Sequence, residues 1–426
     1  MNSLHCMRWK WGSRRGALAL CSLAALMAPA KADSSAVNYV AVYSHSVSEL
    51  DRSQFPVSRE NGFGRVGNSL GLSMDGETAG VSWRVRALVS KDDANGAARQ
   101  FRIKELNKVW TVSDTCRLSA GKRILAWDVG YLTQPVGFFQ TQSVLTDLVD
   151  VAGNSEGLPL VLFSCGVGSG LALDLVRSDD LGERADFQNR GLHQSVIRLS
   201  GHHGNAAYAI LARRVNGQGN GAGATFSTTL GETLEVHASA YAHHGATRLM
   251  HQGVSGTQAP QFWQTSPYAP LAQPGFESQA LLGMTWTPSK LPALTLEVAH
   301  DDRGLSDAEW QRWKSLRAFH QTAPAPGQGL RTGNLLWDLE TIRAQGTRRD
   351  YAYLQLQQSW PGIAVSVGNE WSLNDSSTAS FVSLSKTFSR KLATTLSLSH
   401  FSAGNGTEFA YFPIRNAMTF RLVASY

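Results

Sequence analysis

Short and long connections alternate along this chain. Between about 18 segments of strand-like pattern, the connections at 75–78, 113–114, 166–167, 202–203, 231–232, 288–291, 361 and 389–390 span only a few residues each. Those between them are mostly long: 47–64, 91–99, 127–157, 178–191, 244–274, 303–346 and 403–414, with only 216–220 and 374–377 brief. A soluble sandwich has no reason to sort its loops by side. A closed sheet crossing a bilayer does, with tight turns at one end and long loops at the other. An even strand number also returns the last strand to the first, leaving no unpaired edge in hydrocarbon. The expectation is an all-β chain: one transmembrane, antiparallel, up-and-down β-barrel of about 18 strands (16–18 by this reading).

Period-two alternation supports the individual strands, because successive side chains point to opposite faces. Val81, Trp83 and Val85 oppose Ser82, Arg84 and Arg86; Leu171, Leu173 and Leu175 oppose Ala172 and Asp174. Ala352, Leu354, Leu356 and Trp360 oppose Tyr351, Tyr353, Gln355, Gln357 and Ser359. In 100–112 the apolar face is broken by Glu105 and Asn107, and a bulge is expected there. Mean hydropathy is slightly negative, at −0.19. That argues against helical spans but suits a barrel, whose lipid-facing and lumen-facing residues cancel in any average. Aromatic residues near segment ends (Trp110, Trp127, Trp286, Trp360, Trp371, Phe401, Tyr411) are expected to form interfacial girdles.

Residues 1–32 read as a secretory signal peptide: a basic start, the apolar run Gly16 to Met27, and Ala30-Lys31-Ala32 before a cleavage site. Cleavage is expected after Ala32, or else after Ala30. Residues 33–426 are then the barrel domain. The signal holds Arg8, Lys10, Arg14, Arg15 and Lys31 and no acid, so without it the formal charge of +6 falls to about +1. The pI near 9.2 therefore carries no nucleic-acid inference. Cys6 and Cys21 leave with the signal; Cys116 and Cys165 remain, at the turn-side ends of neighbouring strands, as a candidate disulfide or as two packed thiols.

The closing stretch Arg415 to Tyr426 puts Met418, Phe420, Leu422, Ala424 and Tyr426 on one face. It resembles the C-terminal signal by which bacterial outer-membrane barrels are recognised, which implies the barrel-assembly machinery as a partner and outer-membrane lipid as the surroundings. Gly121-Lys122-Arg123-Ile124-Leu125-Ala126-Trp127-Asp128-Val129-Gly130-Tyr131 and Gln134-Pro135-Val136-Gly137-Phe138-Phe139 are similar to a segment of outer-membrane porin-like families. The alginate-export type barrel is the nearest resemblance, although Asp128 stands where such segments have glycine. The resemblance implies a passive outer-membrane channel for hydrophilic solutes, with anionic saccharide or polysaccharide export among its uses.

On this phase Arg84, Arg86, Arg102, Lys104, Arg117, Arg123, Arg198 and Arg421 face the lumen, against the acids Asp174, Glu235, Glu297 and Glu370. A basic wall would concentrate anions, and arginine suits carboxylates and phosphates. The same arginines could instead brace the barrel by pairing across it. In loop 303–346, Ser306-Asp307-Ala308-Glu309 forms a capping box ahead of Trp310, Trp313 and Leu316, so a short helix is expected, as an outer flap or as a plug. His400-Phe401-Ser402 and Asn405-Gly406 resemble the active-site motif of outer-membrane phospholipases. The strand count departs from that family, and the chain is read as a channel and not an enzyme. A plugged structural or assembly barrel is the other alternative. The pairs His202-His203 and His243-His244 point to opposite strand faces, no acidic cluster joins them, and no phosphate loop is present. No metal and no cofactor are expected.

Overall fold

A computed structural model describes residues 37–50, 65–93, 96–139, 156–168, 170–179, 193–216, 219–245, 247–251, 268–272, 275–322, 335, 338–339 and 347–426. The expected signal peptide lies outside these residues. The strands are β1 (Asn38–Leu50), β2 (Val66–Thr78), β3 (Val81–Asp92), β4 (Gly96–Thr111), β5 (Cys116–Arg123), β6 (Leu158–Gly166) and β7 (Leu171–Asp179). Next come β8 (His193–His203), β9 (Ala206–Val215), β10 (Gly219–Leu230), β11 (Leu234–His244), β12 (Thr247–His251), β13 (Tyr268–Ala272) and β14 (Phe276–Trp286). The chain ends with β15 (Ala293–Asp301), helix α1 (Asp307–Thr322), β16 (Asp350–Trp360), β17 (Ile363–Ser372), β18 (Thr378–Ser389), β19 (Leu392–Ser402) and β20 (Ile414–Ser425).

Eighteen strands form one antiparallel sheet, each paired to its neighbours in sequence, and β1 pairs β20 to close it. All eighteen expected segments are present. The pair β12–β13 is a separate two-stranded sheet within the connection at 244–274, where no strand was expected. Closure leaves no free edge in the hydrocarbon, where the outer face is apolar. Leu118, Phe163, Leu175, Ile197 and Ala212 make one such outward row across β5 to β9. Trp110, Trp286, Trp360 and Tyr426 stay exposed on the outer face at the end that carries the tight turns. Those turns use left-handed residues where geometry requires them: Ala79 and Gly80, between β2 and β3, both have positive φ.

The expected bulge lies in β4. The register shifts between Arg84 and Val85, which oppose Glu105 and Ile103 and leave Lys104 as the extra residue. Lys104 is buried, and Glu105 turns inward to meet Arg84. At the turn end Cys116 and Cys165 face each other across β5 and β6, Cα to Cα 4.2 Å, and are joined by a disulfide.

At the loop end, α1 starts with the reciprocal bonds of the capping box. Ser306 N–H donates to Glu309 Oε2 at 2.8 Å, and Glu309 N–H to Ser306 Oγ at 3.4 Å. Trp310 and Trp313 stack at 4.9 Å and meet Tyr411 edge-on, with Leu335 and Leu339 completing the cluster. The two ends of the 302–349 connection are tied by ion pairs, Arg349 with Asp302 (3.2 Å) and Glu309 (3.5 Å), and Arg348 with Asp307, while Arg303 pairs with Asp301 (2.6 Å) at its start. Phe401, Phe409 and Phe412 form a further cluster on the inner face of β19. Phe401 and Tyr411 are therefore not girdle residues. Both are buried beneath the loops, because the 403–413 connection folds back onto the barrel instead of outward.

Candidate functional site

The segment that enters the barrel follows β5. That strand ends at Arg123, short of the expected 126, because the Ile124 N–H turns away from the ladder to donate to the Glu105 carboxylate at 3.2 Å. From there Leu125, Val136, Phe138 and Phe139 pack on Leu160, Leu162, Val176, Val196, Leu211 and Tyr241. The latter six are inward-facing residues of β6 to β9 and β11. Three or four apolar positions in sixteen residues are what a loop needs to bind a wall in this way, at about 1.5–3 kcal/mol for each fully buried side chain. Trp127, expected in a girdle, lies inside. Its ring sits 5.0 Å edge-on from Phe139, with the Arg198 guanidinium 5.1 Å away over its face. Tryptophan in a strand-end motif reads the same from sequence whether it faces lipid or folds inward.

Two carboxylates set the loop's shape. Asp128 Oδ1 accepts the Val129 N–H (2.8 Å) and Gly130 N–H (3.3 Å), and its Oδ2 the Val136 N–H (2.6 Å). Burial pushes its pKa up while those hydrogen bonds, with one from Ser239, pull it down; the balance lies above the usual value. The residue that departs from the resembled motif thus closes the turn. Glu297, on the inner face of β15, takes the Tyr131 N–H at 2.9 Å on one oxygen and the Leu132 N–H at 2.6 Å on the other. It also meets His237 Nε2 at 2.9 Å. His237 stands on β11 and Glu297 on β15, with Gly283 of β14 between them in register. A side chain on Gly283 would collide with His237 and come within 2.8 Å of the Glu297 Cγ. Glycine in the middle strand is what lets the outer two reach each other.

The eight basic residues expected to line the lumen are distributed unevenly. Arg84, Arg86, Arg102 and Lys104 come together on β3 and β4, where Arg86 directly opposes Arg102. Arg84 pairs with Glu105 at 2.9 Å yet stays half exposed, at 45%. Arg102 donates to Gln100 at 2.6 Å. Arg421 faces inward opposite Ser44 and Thr395. Arg198 is braced by Asp174 at 3.0 Å, an acid that sequence had placed inward. Arg117 lies exposed near the turn end opposite Ser164, and Arg123 ends β5 where the inward segment begins. Sequence reasoning missed Arg213, which donates to Gln194 at 2.7 Å with its guanidinium 4.1 Å from the Phe138 ring. Its inward phase in Ala209-Leu211-Arg213 was the available signal.

Burial separates two sides of the lumen. Inner residues of β6 to β11 under the loop, such as Val176, Val196, Leu211, His237 and Tyr241, are buried. Those of β20 and β1 to β3 such as Arg421, Ser44, Ser73 and Arg86 are half-buried or exposed, although Gly71 beside Arg86 is buried. Beneath the loop, Trp127, Asp128, Arg198, His202, Thr225 and Ser227 line a cavity of about 560 Å³.

His400 and Ser402 lie exposed on the outer face, and His400 Nδ1 is engaged by Asn416 Oδ1 at 2.6 Å. No hydrogen bond joins His400 to Ser402 among the described residues, and none forms a metal-binding group of three or more His, Cys, Asp or Glu.

An 18-stranded closed antiparallel sheet is the fold of known outer-membrane porins. OccAB1 of Acinetobacter baumannii shares it with a TM-score of 0.54 at 11% identity, over 94% of this chain and 98% of that one. OccK5 (OpdH) of Pseudomonas aeruginosa matches with a TM-score of 0.51 at 9% identity, over 92% and 97%. OpdK of the same organism, solved with vanillate, matches with a TM-score of 0.51 at 9% identity, over 92% and 99%. No protein-family model and no curated protein matches the sequence. At these identities the likeness is one of fold.

Proposed function

We propose that this barrel is an outer-membrane channel for small hydrophilic solutes and that it favours anions. In this reading the turn end faces the periplasm, the loop end faces outward, and the exposed apolar belt sits in lipid. One observation carries the anion preference: the loop fills the wall of β6 to β11, which directs the passage toward β20 and β1 to β4, where Arg84, Arg86, Arg102 and Arg421 lie. Fixed cations beside a narrowed, water-filled passage raise the local anion concentration and lower the cost of shedding water from a carboxylate. Vanillate, the molecule solved in OpdK, is such a carboxylate, and an anionic saccharide meets the same groups.

Export of an anionic polysaccharide is the second reading, favoured by the hydroxyls that accompany the arginines, such as Ser44, Ser73 and Thr395. Reversal potential in a planar bilayer under a salt gradient tests the first reading. An anion-selective open pore is expected, and Arg84→Glu with Arg86→Glu should abolish or reverse the selectivity. A folded barrel with equal cation and anion permeability, unchanged in that double variant, would overturn it. Loading liposomes with a charged oligosaccharide or with a monomeric sugar acid separates polymer passage from small-solute passage.

A further inference from the structure

The outer face of the barrel should be apolar, yet arginines face outward near its loop end, and two of them, Arg177 and Arg214, stand in one row. Arg177 on β7 is opposite Ser195 on β8, Ser195 is opposite Arg214 on β9, and Arg214 is opposite Asn220 on β10. The four share the face of Leu175, Ile197 and Ala212, and form one polar row across adjacent strands. Arg177 and Arg214 are two strand spacings apart, roughly 9–10 Å. Arg177 donates to Ser195 Oγ at 2.9 Å and lies 3.4 Å from Asp179, with half of its side chain exposed. Asp179 is shared with His193, at 2.7 Å. Arg214 is exposed and makes no ion pair among the described residues. Directly below the row, toward the middle of the barrel, Phe163, Leu175 and Ile197 border an apolar trough over Ala212, bounded by Val161 level with Arg177, with a cavity of about 650 Å³.

We infer that this row and trough bind a phosphorylated, acylated glycolipid of the outer leaflet. The trough takes an acyl chain, the two guanidiniums take phosphate oxygens as forked donors, and Ser195 and Asn220 take sugar hydroxyls. A row four strands wide is broader than one phosphate needs, which is why a sugar headgroup fits it better than a simple phospholipid. An outward arginine on a barrel is costly at mid-membrane and inexpensive only at headgroup depth, so the row also marks where the hydrocarbon ends. The inference rests on the outer-membrane reading, because the loop end must face the glycolipid leaflet.

The test is native mass spectrometry of the full-length barrel in detergent. It is titrated with a diphosphorylated acylated glucosamine disaccharide, with the dephosphorylated form, and with phosphatidylglycerol. The wild type should bind the phosphorylated disaccharide about tenfold or more tightly than either other lipid, the size expected for one or two charge-assisted contacts. Arg177→Gln with Arg214→Gln should remove that preference, while Lys386→Gln, on the outer face at the turn end, should keep it. Equal binding of the phosphorylated and dephosphorylated forms by the wild type would overturn the inference without any variant. So would equal binding of phosphatidylglycerol, or an equal loss in the Lys386 control. Heat-modifiable gel mobility checks folding, and the single change Arg214→Gln, at an exposed side chain, serves if the double variant does not fold. A barrel that conducts anions but ignores the phosphates sinks this inference alone. One that keeps the phosphate preference but does not conduct sinks only the channel reading.

Discussion

Replacing Glu297 with alanine tests whether the inward loop is held by its polar seat or only by its apolar one. The carboxylate accepts the Tyr131 and Leu132 N–H groups and faces His237, and Glu297 is 2% exposed. A hydrogen bond to a charged group contributes about 1.5–3 kcal/mol, and with Tyr131 exposed water takes up part of the loss, so the two amides together lose roughly 2–4 kcal/mol of seating. Val136, Phe138 and Phe139 remain buried and hold their part of the loop with roughly 4–9 kcal/mol, an upper estimate. The expected result is partial release: the turn at 129–132 opens while 136–139 stays packed. Hydrogen exchange at the Tyr131 and Leu132 amides should accelerate by about 30-fold or more, and single-channel traces should show larger open-state noise and a modest rise in conductance. Glu297→Gln keeps one acceptor and should fall between. Wild-type protection at both amides together with an unaltered current trace in Glu297→Ala would refute the reasoning.

Gly283→Val should reproduce the Glu297→Ala phenotype without touching the loop, since its side chain would part His237 from Glu297; conductance noise and the same amide exchange check it. Changing Cys116 and Cys165 to serine opens a link that spans 49 residues. Chain-entropy arguments put the cost near 4 kcal/mol, read as a lower temperature of gel-shift unfolding and no shift on reduction. Burial pushes the Glu408 carboxyl up to about 7, outweighing the hydrogen bond from Tyr351 that pulls it down. Because the folded value exceeds the unfolded 4.5, the seating of 403–413 is strongest at and below pH 4.5 and weakens as pH rises through 7. The change is about 3 kcal/mol, so the protection factors at residues 405–412, taken relative to the base-catalysed intrinsic rate at each pH, should fall steeply as pH rises toward 7 and be flat in Glu408→Gln. Ser402→Ala should leave membrane-lipid hydrolysis at background, the same as wild type.

The barrel was legible because its rules are local. Alternation in segments such as 81–86 and 351–360, together with the sorting of turns and loops, carries strand number and phase, and the capping box Ser306 to Glu309 carries α1. Glu105 and Asn107 even signalled the bulge, although not that Glu105 would turn inward and neutralise part of Arg84. What sequence could not carry is which connection folds inward. The apolar residues of 125–139 match partners on β6 to β11, a complementarity that exists only once those strands stand side by side. Trp127 and Phe401 were assigned to lipid for the same reason: an aromatic at a strand end is equally at home on either side of the wall. The β12–β13 pair lies in a connection with no alternation to announce it.

The seat of the inward loop also sets an order of events in assembly. The Tyr131 and Leu132 amides find their acceptor 166 and 165 residues further along the chain, across β11, β14 and β15. Such long-range contacts return nothing until the chain between them is in place. Until β15 joins the wall, the segment after β5 has an apolar surface to lie on but no carboxylate to fix it. A barrel whose inward segment has not yet met Glu297 is therefore wider and less selective than the finished one, and narrowing waits on the joining of β15. Ion leakage that falls abruptly after strand closure, and later in Glu297→Ala than in wild type, would be its kinetic trace.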